Sequence, residues 1–301
     1  MTFHVVVGAG PTGTATALLL AESGDDVRVV TRRGTGPEHP RIELAAADIT
    51  SGLAGLVTGA ATLINCAMPA YTRWPEEAPA LSDALVNAAE QTGAGYVSLS
   101  NGYGYGPVDG PLTDDLPLRP TTVKGRVRAR MYRDGLAAHE AGRLRFAEVR
   151  AADYLGVNAL ATFNLFVGPQ VRAGQEVVVP ADPDVAHSWT YTGDVARTLV
   201  AVARSERSWG GVWHTPQTSD LSIRELANRF AAVDGRPRPA VREMTPLELH
   251  TAMADPMMVE LAEMQYLFYR ESVLDGSRTA AEFDLKPTPL DDVLRESAAA
   301  V

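Results

Sequence analysis

Three glycines in the pattern Gly8-x-Gly10-x-x-Gly13 separate a β-branched run, Phe3-His4-Val5-Val6-Val7, from an Ala- and Leu-rich stretch over Thr14 to Ser23. The chemistry this spacing suits is phosphate binding. The first glycine makes a tight turn, the second lets a pyrophosphate approach the backbone, and the third lets strand and helix pack closely. Pro11 and Thr12 complete the helix start, whose unpaired N–H groups and positive dipole end favour an anion. A tight turn that binds nothing is the plain alternative. About 20 residues further on, an NAD site has an acid for the ribose hydroxyls. This chain has Thr31-Arg32-Arg33 there. Two guanidiniums suit a dianionic 2′-phosphate, so NADP is the expected cofactor, with NAD as the second possibility. Two solvated loop arginines are the alternative. Asp48-Ile49 ends the third apolar run, where Asp48 either accepts from the adenine amino group or caps the next helix.

Proton chemistry has several candidates. Tyr103 and Tyr105 lie in a glycine-rich loop with Gly102, Gly104 and Gly106. A phenol there donates a proton if a nearby cation shifts its pKa, and Lys124 is that cation. Tyr105 reads as packing, whereas Tyr103 reads equally as catalytic or substrate-contacting. Asn101 either bonds a substrate carbonyl or closes an Asx-turn. His187 is a candidate general acid. Tyr71-Thr72-Arg73-Trp74 follows a strand end, and its aromatic pair with an arginine suits an aromatic or carboxylate-bearing substrate. No metal site is expected. Asp182-x-Asp184-x-x-His187 is interrupted by Pro183, and the other histidines lack ligand spacing. His4, in a buried strand pattern, reads as a core histidine.

The elements that must position these groups alternate. Strands are expected at 3–7, 27–30, 42–47, 62–67, 96–100 and 144–150. Helices are expected at 14–23, 51–57, 78–91 and 123–141, and later at 194–204, 223–233 and 257–269. This alternation predicts an α/β fold, a doubly wound parallel sheet of Rossmann type. The expected division is a dinucleotide-binding domain over 1–156, which also receives segments near 191–215. A discontinuous substrate lobe covers 157–301. Met257, Leu261, Met264 and Phe268 form a helical stripe that either packs a core or walls an apolar pocket.

The chain has 301 residues, 46% of them hydrophobic, with net charge −10. That acidity argues against nucleic-acid or anionic-membrane partners. The basic residues Lys124, Arg126, Arg128, Arg130 and Arg133 read as a solvated helix face. One cysteine, Cys66, excludes an internal disulfide framework. No apolar run reaches membrane-span length, and Met1-Thr2 leads straight into a strand-like run. A cytoplasmic protein is expected.

The chain resembles the extended or atypical short-chain dehydrogenase/reductases of the NAD-dependent epimerase/dehydratase type. The resemblance rests on Gly8 to Gly13, Asp48-Ile49, Ile64-Asn65-Cys66-Ala67, Tyr96 to Ser100 with Tyr105-Gly106-Pro107, Lys124, Arg150 to Gly156, and Tyr191-Thr192-Gly193-Asp194. It implies cofactor contacts at Ala67, Met68, Ser100 and Tyr154, with Asp153 and Tyr191 directed to substrate. The family uses a Ser or Thr, a Tyr, and a Lys four residues after the Tyr. Lys124 matches that lysine, as holder of the cofactor ribose. Pro120 stands where the tyrosine belongs, and Asn101, preceded by Ser100, stands at the Ser/Thr position. The resemblance therefore implies an NADP(H)-dependent oxidoreductase or hydride-dependent epimerase for a small molecule, with an atypical acid–base set. The alternatives are a non-catalytic NADP-binding regulator and a non-redox isomerase, cyclase or lyase. A homodimer through helices 78–91 and 123–141 is a further expectation.

Overall fold

The computed structural model describes residues 1–300. Short β-branched runs form the strands β1 (Phe3–Val7), β2 (Asp26–Thr31), β3 (Ile42–Ala46), β4 (Thr62–Asn65), β5 (Gly95–Asn101) and β6 (Phe146–Ala151). Helices alternate with them: α1 (Pro11–Glu22), α2 (Leu53–Val57), α3 (Trp74–Thr92) and α4 (Val123–Glu140). Val5, Val6 and Val7 have no solvent exposure. Their run is apolar on both faces because a parallel sheet is covered on both sides. Burying each such side chain contributes about 1.5–3 kcal/mol.

Beyond β6 the chain builds β7 (Asp153–Leu155), a π-helical turn over Phe163–Val167, α5 (Gly168–Arg172), β8 (Val177–Val179), β9 (Trp189–Tyr191), α6 (Thr192–Arg204) and β10 (Val212–His214). Then come α7 (Ile223–Val233), β11 (Val241–Glu243), α8 (Pro246–Ala252), α9 (Pro256–Ala262), α10 (Ser277–Phe283) and α11 (Leu290–Ala299). Strands β10-β6-β5-β4-β1-β2-β3 form one seven-stranded sheet, parallel throughout. Helices α1 and α6 cover one face, and α2, α3 and α4 the other. The sheet order reverses between β1 and β4, so the crevice outside their carboxyl ends is the expected ligand position. The doubly wound expectation holds.

The later segments pack a separate core around Phe163, Trp189 and Phe230, with β8–β11 and β7–β9 as two small parallel pairs. Here the sequence expectation needs one correction. A single helix over 257–269 is not formed. Helix α9 ends at Ala262, and Gln265–Phe268 is a separate 3₁₀ turn. A tertiary contact falls at the break: Glu263, just past α9, accepts the backbone N–H of Lys124 at 2.6 Å. The basic helix also departs from a purely solvated face. Arg126, Arg130 and Arg133 are exposed, but Lys124 and Arg128 are buried.

His4 is a core histidine, bonded to Thr62 at 2.7 Å and 3.3 Å from Asp25. A second buried histidine, His214 of β10, bonds the Tyr105 hydroxyl through Nε2 at 2.6 Å and the Asp275 carbonyl through Nδ1 at 3.0 Å. In the neutral ring Nδ1 donates to the carbonyl and Nε2 accepts from the Tyr105 hydroxyl, so both nitrogens are satisfied without a charge. Burial, reinforced by Arg150, pushes its pKa down to about 3. Between that value and the ordinary 6.5 the unfolded chain binds a proton that the folded chain does not, so stability falls as pH falls through this window. Acidifying from pH 6.5 to 5 should therefore cost about 2 kcal/mol through this residue alone. Urea unfolding at both pH values checks it: His214→Gln should show a loss smaller than wild type by about that amount.

Candidate active site

Gly8 adopts φ +95°, and a Cβ there would lie 2.9 Å from the backbone nitrogen of Ala67. A Cβ on Gly13 would lie 2.1 Å from the carbonyl oxygen of Gly8. These two glycines let the end of β1, the start of α1 and the chain leaving β4 meet. Gly10 is different: a Cβ there would meet nothing within 4 Å. It is the residue before α1, and no side chain caps the helix. The open space, the first-turn N–H groups and the positive end of the helix make a cradle for a pyrophosphate. Pro11 and Thr12 form the helix start.

Arg32 and Arg33 follow β2 as exposed side chains, with no ion-pair or hydrogen-bond partner among the described residues. Asp48 is exposed, and its Oδ1 accepts from both the backbone N–H and the hydroxyl of Thr50. Those bonds hold its carboxyl below the usual range. It closes an Asx-turn rather than capping α2, which follows Gly52. Ile49 packs against the core beneath α2.

A cavity of about 380 Å³ opens outside the carboxyl ends of β4, β5 and β6. It begins at Cys66, Ala67 and Met68, and runs past Asn101, Tyr103 and Tyr154 to a roof from the late lobe. The apolar stripe expected in that lobe is this roof: Met257, Leu261, Met264 and Phe268 all line the cavity. Sequence reading missed Leu160, Leu165 and Phe166, which form a further wall beside the π-helical turn. Such turns recur at functional sites.

Polar groups gather at the inner end. The Tyr71 and Tyr103 hydroxyls are 3.4 Å apart. Trp74 packs edge-on to Tyr71 at 5.1 Å and lies 6.2 Å from Tyr103. Asn101 accepts from the Tyr103 backbone N–H, so its Asx-type bond is present and its side chain also lines the cavity. His187, 5% exposed, stacks on Phe268 with ring centroids 4.5 Å apart. Its Nε2 is 3.9 Å from Oδ2 of Asp153. Both His187 ring nitrogens and Asp153 Oδ2 are buried without a hydrogen-bond partner. Burial lowers the His187 pKa, against the pull of Asp153, and raises that of Asp153. Burial also pushes the pKa values of Tyr71 and Tyr103 upward. Cys66 is driven up to about 12 by burial and is an unreactive thiol.

Lys124 does not line this cavity. Its ammonium is 1% exposed, bonds Glu260, lies 3.8 Å from Glu263 and sits 4.5 Å above the Tyr71 ring. The expected contact between Lys124 and a cofactor ribose is therefore blocked by two carboxylates. Arg128, one turn on and on the same face of α4, is the cation that reaches the cavity. It donates to the Leu99 carbonyl at 3.2 Å and lies 4.6 Å over the Trp74 ring, with Nε left unpartnered. The i, i+4 spacing from Lys124 was the signal that identifies it.

Other expected contacts lie elsewhere. Ser100 is buried toward Glu148, which forms a buried ion pair with Arg150. Tyr191 donates to Glu296 at 2.5 Å, outside the cavity. Arg73 turns to solvent and pairs with Glu77 at 3.1 Å, so the carboxylate-binding role expected for it is not met. Asp184 pairs with Arg224. Among the described residues no three His, Cys, Asp or Glu side chains converge as metal ligands do, and no helix is long and apolar enough to cross a membrane.

A parallel sheet with this strand order, a glycine cradle at its switch point and a cavity beyond the strand ends defines a dinucleotide-binding α/β enzyme class. The model of the NAD dependent epimerase/dehydratase family matches residues 4–213, and the chain belongs to that family. No curated protein matches it significantly. Among solved structures it is similar to MoeE5 in complex with UDP-glucuronic acid and NAD, at 22% identity and TM-score 0.77 over 97% of this chain and 96% of that one. It is also similar to the dTDP-glucose 4,6-dehydratase of Bacillus anthracis str. Ames in complex with NAD, at 14% identity and TM-score 0.80 over 99% and 96%. A third likeness is to the Bordetella bronchiseptica enzyme WbmH in complex with NAD+, at 19% identity and TM-score 0.78 over 100% and 98%. At these identities the likenesses establish the fold.

The two glycines separate folding from binding. Gly13→Ala should cost about 3 kcal/mol or more, because α1 must move away from Gly8. Gly10→Ala should cost under about 1 kcal/mol, yet weaken dinucleotide binding tenfold or more. Thermal unfolding and calorimetric titration with NAD and NADP read the two effects separately.

Proposed function

We propose that the chain is an NADP(H)-preferring oxidoreductase or hydride-dependent epimerase acting on a small molecule. The observation that carries this reading is the Gly10 cradle at the sheet's switch point, leading to a cavity with buried, unpartnered polar groups. Gly8 to Gly13 and the start of α1 would hold the pyrophosphate. Arg32 and Arg33, unpaired at the end of β2, would hold a 2′-phosphate. Ala67, Met68, Tyr154 and Arg128 would flank the far end. The nicotinamide, when bound, supplies hydride exchange.

The protein's own groups supply the rest. Lys124 and Arg128 repeat the four-residue spacing of the family's Tyr and Lys, which supports Arg128 in the lysine's role and Lys124 at the tyrosine's position. Lys124 is neutralised by carboxylates, so proton handling falls to His187 with Asp153, beside Tyr103. The apolar roof keeps water from these groups, which strengthens each electrostatic contact.

One observation favours a second reading. Burial drives the cavity tyrosines up and His187 down, away from neutral pH, as a non-catalytic NADP-binding regulator would allow. Tight NADP binding with no turnover of any substrate, followed by reduced-nicotinamide absorbance, identifies that case. Conversion of substrate with flat absorbance identifies a non-redox isomerase, cyclase or lyase.

Replacing Arg32 and Arg33 together with Ala should weaken NADP about 10–100-fold, since each charged hydrogen bond contributes about 1.5–3 kcal/mol, and leave NAD within about twofold. Equal losses for both cofactors would remove the NADP preference. In the same titration, Arg128→Ala should lower cofactor affinity, whereas Lys124→Met should not.

A further inference from the structure

Two of the three solved structures named above are a complex or an enzyme of a nucleotide sugar. A nucleotide sugar brings a diphosphate, and a buried diphosphate needs cations. Among the described residues lining this cavity the only permanent cation is Arg128, and it is matched by one acid, Asp153. Arg128 already serves the Leu99 carbonyl and the Trp74 ring. Lys124, close by, is consumed by Glu260 and Glu263. Burial also holds His187 neutral. No surplus positive charge is left for a second dianion beside a dinucleotide.

The walls point the same way. Leu165, Phe166, Met257, Leu261, Leu267 and Phe268 enclose the outer part of the cavity. Its volume of about 380 Å³ lies at the small end of ligand pockets. Against this apolar enclosure stands one polar handle. A neutral His187 has one N–H donor and one ring-nitrogen acceptor, and Asp153 Oδ2, 3.9 Å away, is a further acceptor. None of the three has a partner at normal hydrogen-bond geometry, although His187 faces the Leu267 backbone and Asp153 faces Thr162. A hydroxyl between them accepts from the imidazole N–H and donates to the carboxylate. A carbonyl oxygen accepts from the imidazole alone.

We propose that the cavity binds an uncharged, largely hydrocarbon alcohol or its ketone, with the oxygen between His187 and Asp153, and that it does not bind a sugar nucleotide. This rests on the reading of the chain as a small-molecule dehydrogenase-type enzyme, but its test is binding and does not need turnover. The probes are cyclopentanol, cyclohexanol, cycloheptanol, 1-indanol, indane and UDP-glucose, titrated by calorimetry into the full chain with and without saturating NADP.

Affinity should rise about three- to fourfold for each methylene added to the alcohol, as burial of one methylene predicts. 1-Indanol should bind about tenfold more tightly than indane, and UDP-glucose should not bind. In His187→Ala and Asp153→Asn the preference for 1-indanol over indane should collapse to within about twofold, while indane still binds. Leu165→Asp, at the partly exposed rim, should weaken both indane and 1-indanol without altering NADP affinity. UDP-glucose binding more tightly than 1-indanol would overturn the proposal. So would the failure of every alcohol to bind a protein whose unfolding transition is intact. Failure of NADP to bind counts against the proposed function instead, and leaves the alcohol series to be judged without cofactor.

Discussion

One buried ammonium sets the shape of the cavity. Lys124 lies in the first turn of α4, where a cation faces the positive end of the helix dipole. It is also 1% exposed, so without partners it would cost several kcal/mol. Its partners come from a segment 136 residues later in the chain. Glu260 takes the ammonium, and Glu263 takes the Lys124 backbone N–H, one of the donors that a helix start leaves unpaired. The two acids are three residues apart and share a face. Met257, Leu261 and Met264 occupy the adjoining face and turn into the cavity. An ion pair therefore decides where the apolar roof rests.

Enclosure by that roof accounts for the behaviour of the polar groups beneath it. The Tyr103 hydroxyl, the His187 imidazole and the Asp153 carboxyl are each pushed toward their neutral forms by burial. In an open cleft, water would satisfy His187 and Asp153, and neither would prefer a ligand oxygen. On the proposed reading, their unmet hydrogen bonds are a standing cost that the right oxygen removes, which is how a small number of polar atoms gives orientation in an apolar pocket. The glycine turn works by the opposite logic. Gly8 and Gly13 are filled to contact by backbone, and only Gly10 leaves room.

These differences in physical range explain what was legible in the sequence. The strands, the glycine turn and α1 depend on short continuous β-branched runs and on a turn whose close backbone approach requires glycine at Gly8 and Gly13, and both are local. The helix expected over 223–233 matches α7, whose start is fixed locally by a capping box between Ser222 and Glu225. The break after Ala262 was not legible: it coincides with a long-range contact, Glu263 reaching the start of α4 across the fold. The role of Lys124 failed for the same reason. A four-residue motif shows which side chains share a helix face, but not which of them a distant carboxylate will neutralise. Arg128 was the recoverable miss, one helical turn after Lys124 and on the same face.

On the proposed register, with Lys124 at the tyrosine's position and Arg128 at the lysine's, the departure from the family pattern has a structural consequence beyond a missing phenol. A tyrosine at that position would need no counter-charge, and the late lobe would be free to present other groups to the cavity. A lysine requires carboxylates, and the lobe supplies them from α9 and the residue that follows it. That commits α9 to lie against α4 and Tyr71, with its Met- and Leu-bearing face inward. On that reading, the same substitution removes the usual proton donor, draws in an apolar wall and leaves the oxygen contact to His187 and Asp153 on the far side. Acid–base set and ligand polarity are then coupled through a single buried charge.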